Sequence, residues 1–365
     1  MNVVTRVLKS LLAPLVAVVA AMLITSVVII ASGSSAADFW EVIFSPPADR
    51  TYVNIVNQSS MIFLSALAAA VGFRMNLFNI GVEGQYVVAS YAAALFAGAA
   101  IVTGVLNIIA SLIIAMVVGA LWAGIAGLLK VTRGVSEVIS TIMLNAIGAT
   151  MVGYLLNRYG ERLGNGRRTT VIPESSQLGG WVPFADRDGA IWTLAILAIL
   201  AGFGFSFLLN KTTFGFDLRA TGMSETAAVA SGVKVRRMVV VSMMISGALA
   251  GLIWMPALFG SAYSYGTSFQ AGLGFTGIAV ALLGRNRPLG IMFGAVLFAF
   301  LNEQSNRLTL STDISQDIVS ITQGVIVLAV VVAYEVVRRY RIAAEQRQVR
   351  QKLEADKPSG EAVHA

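Results

Sequence analysis

Three carboxylates stand out because their surroundings are almost free of charge: Glu83, Glu137 and Glu303 each adjoin a long apolar run. Thr141 and Asn145 follow Glu137 at i+4 and i+8, a spacing that places all three on one helical face. Such groups can carry a proton or hold a cation. They can equally hydrogen-bond a polar solute or tie helices together. A second set is aromatic. Tyr263, Tyr265, Phe269 and Gln270 lie in 259–277, a stretch that mixes glycine with rings and hydroxyls. Ring faces suit a base or a sugar, and Gln270 would hydrogen-bond it; as an alternative, Tyr263 and Tyr265 are interfacial belt residues. Other chemistries are excluded. The chain has no Cys, and its one His is His364, in a polar tail. A thiol nucleophile, a disulfide, a Cys-ligated zinc and a histidine base are therefore ruled out, and no metal site is expected. No G-x-x-x-x-G-K-[ST] run occurs, so the standard cradle for nucleotide phosphates is missing. If ATP is used, another chain hydrolyses it.

The elements that must position these groups are apolar helices. Of 365 residues only 12% are charged, with 26 Lys+Arg against 19 Asp+Glu. The charges separate long charge-free runs, the longest being Gly84–Leu129 and Met238–Gly284. A soluble domain of this size cannot bury so much apolar chain, whereas a bilayer solvates it. Composition thus excludes a soluble enzyme, a disordered chain and a nucleic-acid binder. A span needs about 20 apolar residues, and the two longest runs hold two spans each. About ten transmembrane helices follow, near 10–32, 52–73, 80–99, 105–129, 137–157, 190–210, 238–258, 269–284, 288–306 and 317–337. The first is a retained span, because it exceeds the usual signal-peptide core of about 7–15 residues. Lys and Arg gather on one side of these spans, which puts both termini in the cytoplasm. The exception is the loop 158–188, a basic segment on the outer side. The expected fold class is an all-α polytopic membrane protein, with a transmembrane domain over 1–337 and a polar cytoplasmic tail over 338–365.

The longest inner loop is 211–237. Ser224 is a good N-cap, Glu225 suits the first turn, and Gly232 is placed as the residue just past the helix end. The two turns between them have no stability alone in water, so something must dock on them. Either the protein's own membrane domain or a partner would serve.

The run Phe-Gly-Phe-Asp-Leu-Arg-Ala-Thr-Gly at 214–222, followed by Ala227-Ala228 and Ser231-Gly232-Val233, resembles the coupling loop of membrane subunits of bacterial ABC importers. Asn79-Ile-Gly-Val-Glu83-Gly-Gln85 is similar to the N-I-G-x-E-G-Q signature of the ribose and nucleoside branch. Glu137-Val-Ile-Ser-Thr141-Ile-Met-Leu-Asn145 and Gly274-Phe-Thr-Gly277-Ile-Ala-Val-Ala-Leu-Leu-Gly284 resemble two further segments of it. Within that branch the chain looks most like the larger permease subunit of nucleoside importers.

The resemblance implies a subunit without its own energy source. A cytoplasmic ATPase would hold ATP and Mg, so this chain would bind no cofactor and be no enzyme. A second homologous permease and an extracytoplasmic solute-binding lipoprotein would complete the importer in the bacterial cytoplasmic membrane, amid lipid. Gly215, Arg219, Gly222, Ser224, Glu225, Ala227, Ala228 and Gly232 would couple to the ATPase. Asn79, Glu83, Gln85, Glu137, Thr141, Asn145, Phe269 and Gln270 are candidates for the translocation path, and Tyr263, Tyr265 and Glu303 for contact with the binding protein. Asn79 is also a candidate N-cap, Glu83 and Glu137 are favoured by their own helix dipoles, and Glu303 has Arg307 at i+4. The competing function is an ion-coupled secondary transporter using Glu83, Glu137 and Glu303.

Overall fold

The computed structural model describes residues 19–183, 189–311 and 318–329, with isolated positions beyond. The start of the first expected span, residues 184–188 of the outer loop, the end of the last span and His364 lie outside the described residues. So does nearly all of the expected tail 338–365.

Two compact units divide the chain. One takes in both chain ends, and its described helices include α1 (Val19–Ala31) and α14 (Ile318–Ala329). The chain passes through α2 (Ala36–Phe44), a short helix that sequence reasoning missed, into the larger unit, Trp40–Asp313. There follow α3 (Asp49–Arg74), α4 (Val82–Ala99), α5 (Gly104–Arg133) and α6 (Glu137–Tyr159). After the outer loop come α7 (Ile196–Lys211), α8 (Thr213–Met223), α9 (Glu225–Ala230) and α10 (Val235–Gly251). The unit closes with α11 (Met255–Ala257), α12 (Leu273–Leu283) and α13 (Pro288–Ser311).

Among the described residues five helices are long and apolar enough to cross a membrane: Asp49–Arg74, Gly104–Arg133, Glu137–Tyr159, Thr193–Lys211 and Val235–Ala262. Three shorter apolar helices, α1, α12 and α14, accompany them. The longest helix, α5, ends where the sequence dictates. Lys130 and Arg133 meet the negative end of its dipole, and Gly134, at φ 68, turns the chain left-handed with its N–H on the Lys130 carbonyl.

The core of the larger unit lies around α3, whose most apolar window is 83% buried, against 28% for α5 and α6. The outward faces of α5 and α7 carry Ile113, Val117, Leu121, Phe203 and Phe207, an apolar surface that lipid must cover. Helices α5 and α10 meet backbone to backbone. A Cβ on Gly119 would lie 2.2 Å from the Gly247 carbonyl oxygen, and one on Gly251 would lie 2.1 Å from that of Ala115. Small residues four apart permit such an approach in lipid, where contact is driven by packing and not by water.

Two expectations need correction. The second long apolar run is expected to hold helices over 238–258 and 269–284. The first is present: α10, α11 and a π turn over Leu258–Ala262 make one span, Val235–Ala262, which ends where Tyr263 turns left-handed at φ 53. The second starts late. A non-helical stretch then leads to Gly272, at φ 92, and to α12. With 11 residues, α12 is roughly 16 Å long, about half of a hydrocarbon core. Gly266 and Gly272 lie in the non-helical stretch, and the run stays free of charge through it. Nor is the chain purely α. The segment between α6 and α7 folds into an antiparallel hairpin, β1 (Glu161–Leu163) with β2 (Gly166–Arg168), and a second pair, β3 (Gly180–Trp181) with β4 (Ile191–Trp192). The two-residue turn Gly164-Asn165, with Gly164 at φ 57, was a readable hairpin signal.

Candidate functional site

The polar residues expected along a path converge on the start of α4, each with a defined partner. Asn79 and Gln85 hold one another by paired amide bonds, Asn79 Nδ2 to Gln85 Oε1 at 3.1 Å and Gln85 Nε2 to Asn79 Oδ1 at 2.9 Å. Asn79 Nδ2 also donates to Ser246 Oγ of α10 at 2.8 Å, and Ser246 in turn donates to the Ala68 carbonyl of α3 at 2.6 Å. Asn79 does not cap α4. Its Oδ1 accepts the Gly81 N–H at 3.0 Å, and Gly81 occupies the cap position.

Glu83 serves a second helix besides its own. Its carboxylate accepts the Gly272 N–H at 2.7 Å and the Gly274 N–H at 2.8 Å, so it caps the N-terminus of α12 from across the bundle. Gly274 must be glycine-sized, since its Cβ would fall 2.4 Å from Glu83 N. Asn145 of α6 clasps the same junction, accepting the Gly84 N–H at 2.8 Å and donating to the Ile80 carbonyl at 2.9 Å. Thr141 bonds back to the Glu137 carbonyl at 2.6 Å, and Glu137 pairs with Lys130 at 2.6 Å. Gly277 lies against Ser65 of α3, which donates to the Leu273 carbonyl at 2.8 Å.

Above this junction is a knot of rings. Phe269 stacks on Tyr86 with centroids 5.1 Å apart, and contacts Tyr265 at 4.4 Å and Trp254 at 5.0 Å; Tyr91 joins through Tyr265 at 5.6 Å. The Tyr86 hydroxyl donates to the Gln270 carbonyl, pinning the non-helical stretch to α4. Tyr265 is buried here, 6% exposed, and offers little surface to a docking partner. The outer loop covers the same stretch. Thr169 N–H donates to the Tyr265 carbonyl and Ile172 N–H to that of Tyr263, both at 2.8 Å. The half-buried Tyr263 donates to the Gly260 carbonyl at 3.2 Å. Glu303 of α13 stands apart near the start of α3, accepting from Asn54 Nδ2 at 3.1 Å. Arg307, the partner expected from spacing, donates to the Pro46 carbonyl at 3.0 Å.

The loop 211–237 is two helices. In α8, Gly215 and Gly222 are packing residues: a Cβ would lie 2.1 Å from the Leu208 oxygen and 2.3 Å from the Arg74 oxygen. These glycines seat α8 on the bundle, which sequence reasoning could not distinguish from contact with a partner. Helix α9 is capped as expected. Ser224 Oγ accepts the Ala227 N–H at 3.3 Å, Gly232 turns at φ 87, and the Val233 N–H reaches the Ala228 carbonyl at 3.0 Å. Only Ala228 of α9 is buried. Glu225, Ala227, Val229 and Ala230 face outward, and with Phe216 (64% exposed) and Met223 (88%) they leave an apolar surface open. A cavity of about 640 Å³ opens beside α9, lined by Lys130, Gly134, Val229 and Arg236 among others.

The family described as branched-chain amino acid transport system / permease component matches residues 51–331. The chain belongs to this family. The permease is 34% identical over 336 residues to the guanosine ABC transporter permease protein NupP of Bacillus subtilis (strain 168), covering 90% of this chain and 95% of that protein. It is 35% identical over 140 residues to the nucleoside ABC transporter permease protein NupB of Lactococcus lactis subsp. cremoris, covering 38% of each chain. To the glucose ABC transporter permease protein TsgB13 of Haloferax volcanii it is 26% identical over 347 residues, covering 90% and 89%. It is an integral membrane protein whose work is transport, and its helices supply positioning rather than bond chemistry.

Three of the permease's sequence motifs, at 79–85, 137–145 and 274–284, are thus parts of one junction. Asn145→Leu should leave the Gly84 N–H and the Ile80 carbonyl without partners and cost about 1–3 kcal/mol for each buried group. Thermal unfolding of the solubilised protein checks this; unchanged melting with lost uptake would place Asn145 on the solute path. The three carboxylates of the ion-coupled alternative do not cluster: each has its own partner on a different element. Among the described residues no group of three or more His, Asp or Glu could hold a metal ion.

Proposed function

We propose that the chain is the transmembrane subunit of an ATP-binding cassette importer for nucleosides, moving them across the bacterial cytoplasmic membrane. Its about ten spans run with both ends inside. A cytoplasmic ATPase drives it through α9, a second homologous permease completes the pore, and an extracytoplasmic lipoprotein delivers the solute. The near full-length similarity to a guanosine permease carries this proposal. The outward-facing capped helix α9 supports the coupling, since two helical turns have no independent stability and their open face is apolar. Phe269, a member of the ring knot, and Gln270 are each half-buried, so part of a ring and an amide stay open to a base. A simple sugar such as ribose is the second solute class.

Uptake by proteoliposomes holding the complete assembly tests this. Labelled guanosine should enter only with ATP inside, survive a protonophore, and be displaced by other nucleosides before ribose. Uptake that ignores ATP and collapses with the protonophore would instead favour ion coupling.

A further inference from the structure

Arg74 closes α3, and its Nε and Nη2 both donate to the Asn286 carbonyl, at 3.1 and 2.7 Å. The turn that presents this carbonyl, between α12 and α13, contains two successive non-glycine residues in the left-handed region, Arg285 at φ 54 and Asn286 at φ 55. That conformation is unfavourable away from glycine, so the surrounding contacts must hold it. From another side α8 approaches, with Gly222 against the Arg74 carbonyl, and this brings Arg219 to the same place. Arg219 and Arg287 each lie close enough to Arg74 for their charges to act on it. Among the described residues no Asp or Glu forms an ion pair with any of the three. Arg219 also keeps Nη1 buried without a hydrogen-bond partner. Like charges gathered from three elements, with a buried donor unpaired, are unfavourable until an anion arrives.

We propose that this arginine cluster receives a carboxylate of the cytoplasmic ATPase, as a second anchor beside α9. The proposal rests on the docking role given to α9 above. A guanidinium binds a carboxylate through two parallel hydrogen bonds, which suits a planar anion on a protein surface. The position favours the ATPase over a lipid headgroup: Arg74 is half-buried beneath α8, with Gly222 against its carbonyl. Arg219 sits on the segment that leads directly into α9, so one partner reaches both.

The test measures binding of the purified cognate ATPase to the membrane assembly in nanodiscs, made with phosphatidylcholine alone or with added phosphatidylglycerol. Arg219→Gln and the exposed-site Arg287→Glu are compared with wild type, with Val229→Asp in parallel. Each arginine variant should weaken binding about tenfold and flatten its salt dependence in both lipids. Wild-type affinity in both arginine variants, with binding lost in Val229→Asp, would overturn the arginine anchor and leave α9 docking in place. A loss confined to nanodiscs with phosphatidylglycerol would overturn it in favour of a lipid phosphate. Failure of the wild type to bind the ATPase would overturn both.

Discussion

Glu83→Gln should destabilise the solubilised permease by about 3–5 kcal/mol and lower uptake with it. The carboxylate accepts two backbone N–H groups at the start of α12, Gly272 and Gly274, with one oxygen for each. A glutamine has the same shape but only one acceptor oxygen. Its amide would turn a donor toward the second N–H, and the positive end of the α12 dipole would lose its anion. The neighbouring backbone cannot shift to compensate, because Gly274 already lies against Glu83 as closely as a glycine allows. A melting curve in detergent reads the effect. Unaltered melting would mean that the carboxylate is not needed as a cap, and would return it to the pool of proton or cation carriers.

Val229→Asp is expected to do the opposite, sparing the fold and removing the function. Val229 is 57% exposed on α9, so most of its side chain is outside the packing of the permease. In an apolar docking surface a buried unpaired carboxylate costs at least about 2 kcal/mol, or roughly thirtyfold in affinity. Membrane insertion and melting should match wild type while ATP-driven uptake falls to background. Gly222→Trp, which also lies in this loop, is a poor probe of docking, because its side chain would collide with the Arg74 carbonyl of the permease itself.

Features set by neighbours in the chain were legible in the sequence. The capped helix α9 follows from Ser224, Glu225 and Gly232, all within one short segment, and the structure shows those caps. The partners of the motif residues were not legible, because they are remote. Glu83 meets Gly272 across 189 residues, and Asn79 meets Ser246 across 167. Spacing alone therefore left each polar residue open between path and glue. The short α12 was also hidden: the stretch around Tyr263, Tyr265 and Phe269 is free of charge, although its backbone is not helical. The glycines of the seam between α5 and α10 are visible one by one, but nothing local states that Gly119 faces Gly247.

The most direct test of transport driven from outside the chain uses its lack of cysteine. Ala230→Cys places one thiol on the exposed face of α9, and a membrane-impermeant maleimide reports its accessibility in inside-out vesicles. Labelling should be fast in the permease alone, strongly slowed when the ATPase is added, and altered again by ATP. Equal labelling with and without the ATPase would contradict the account.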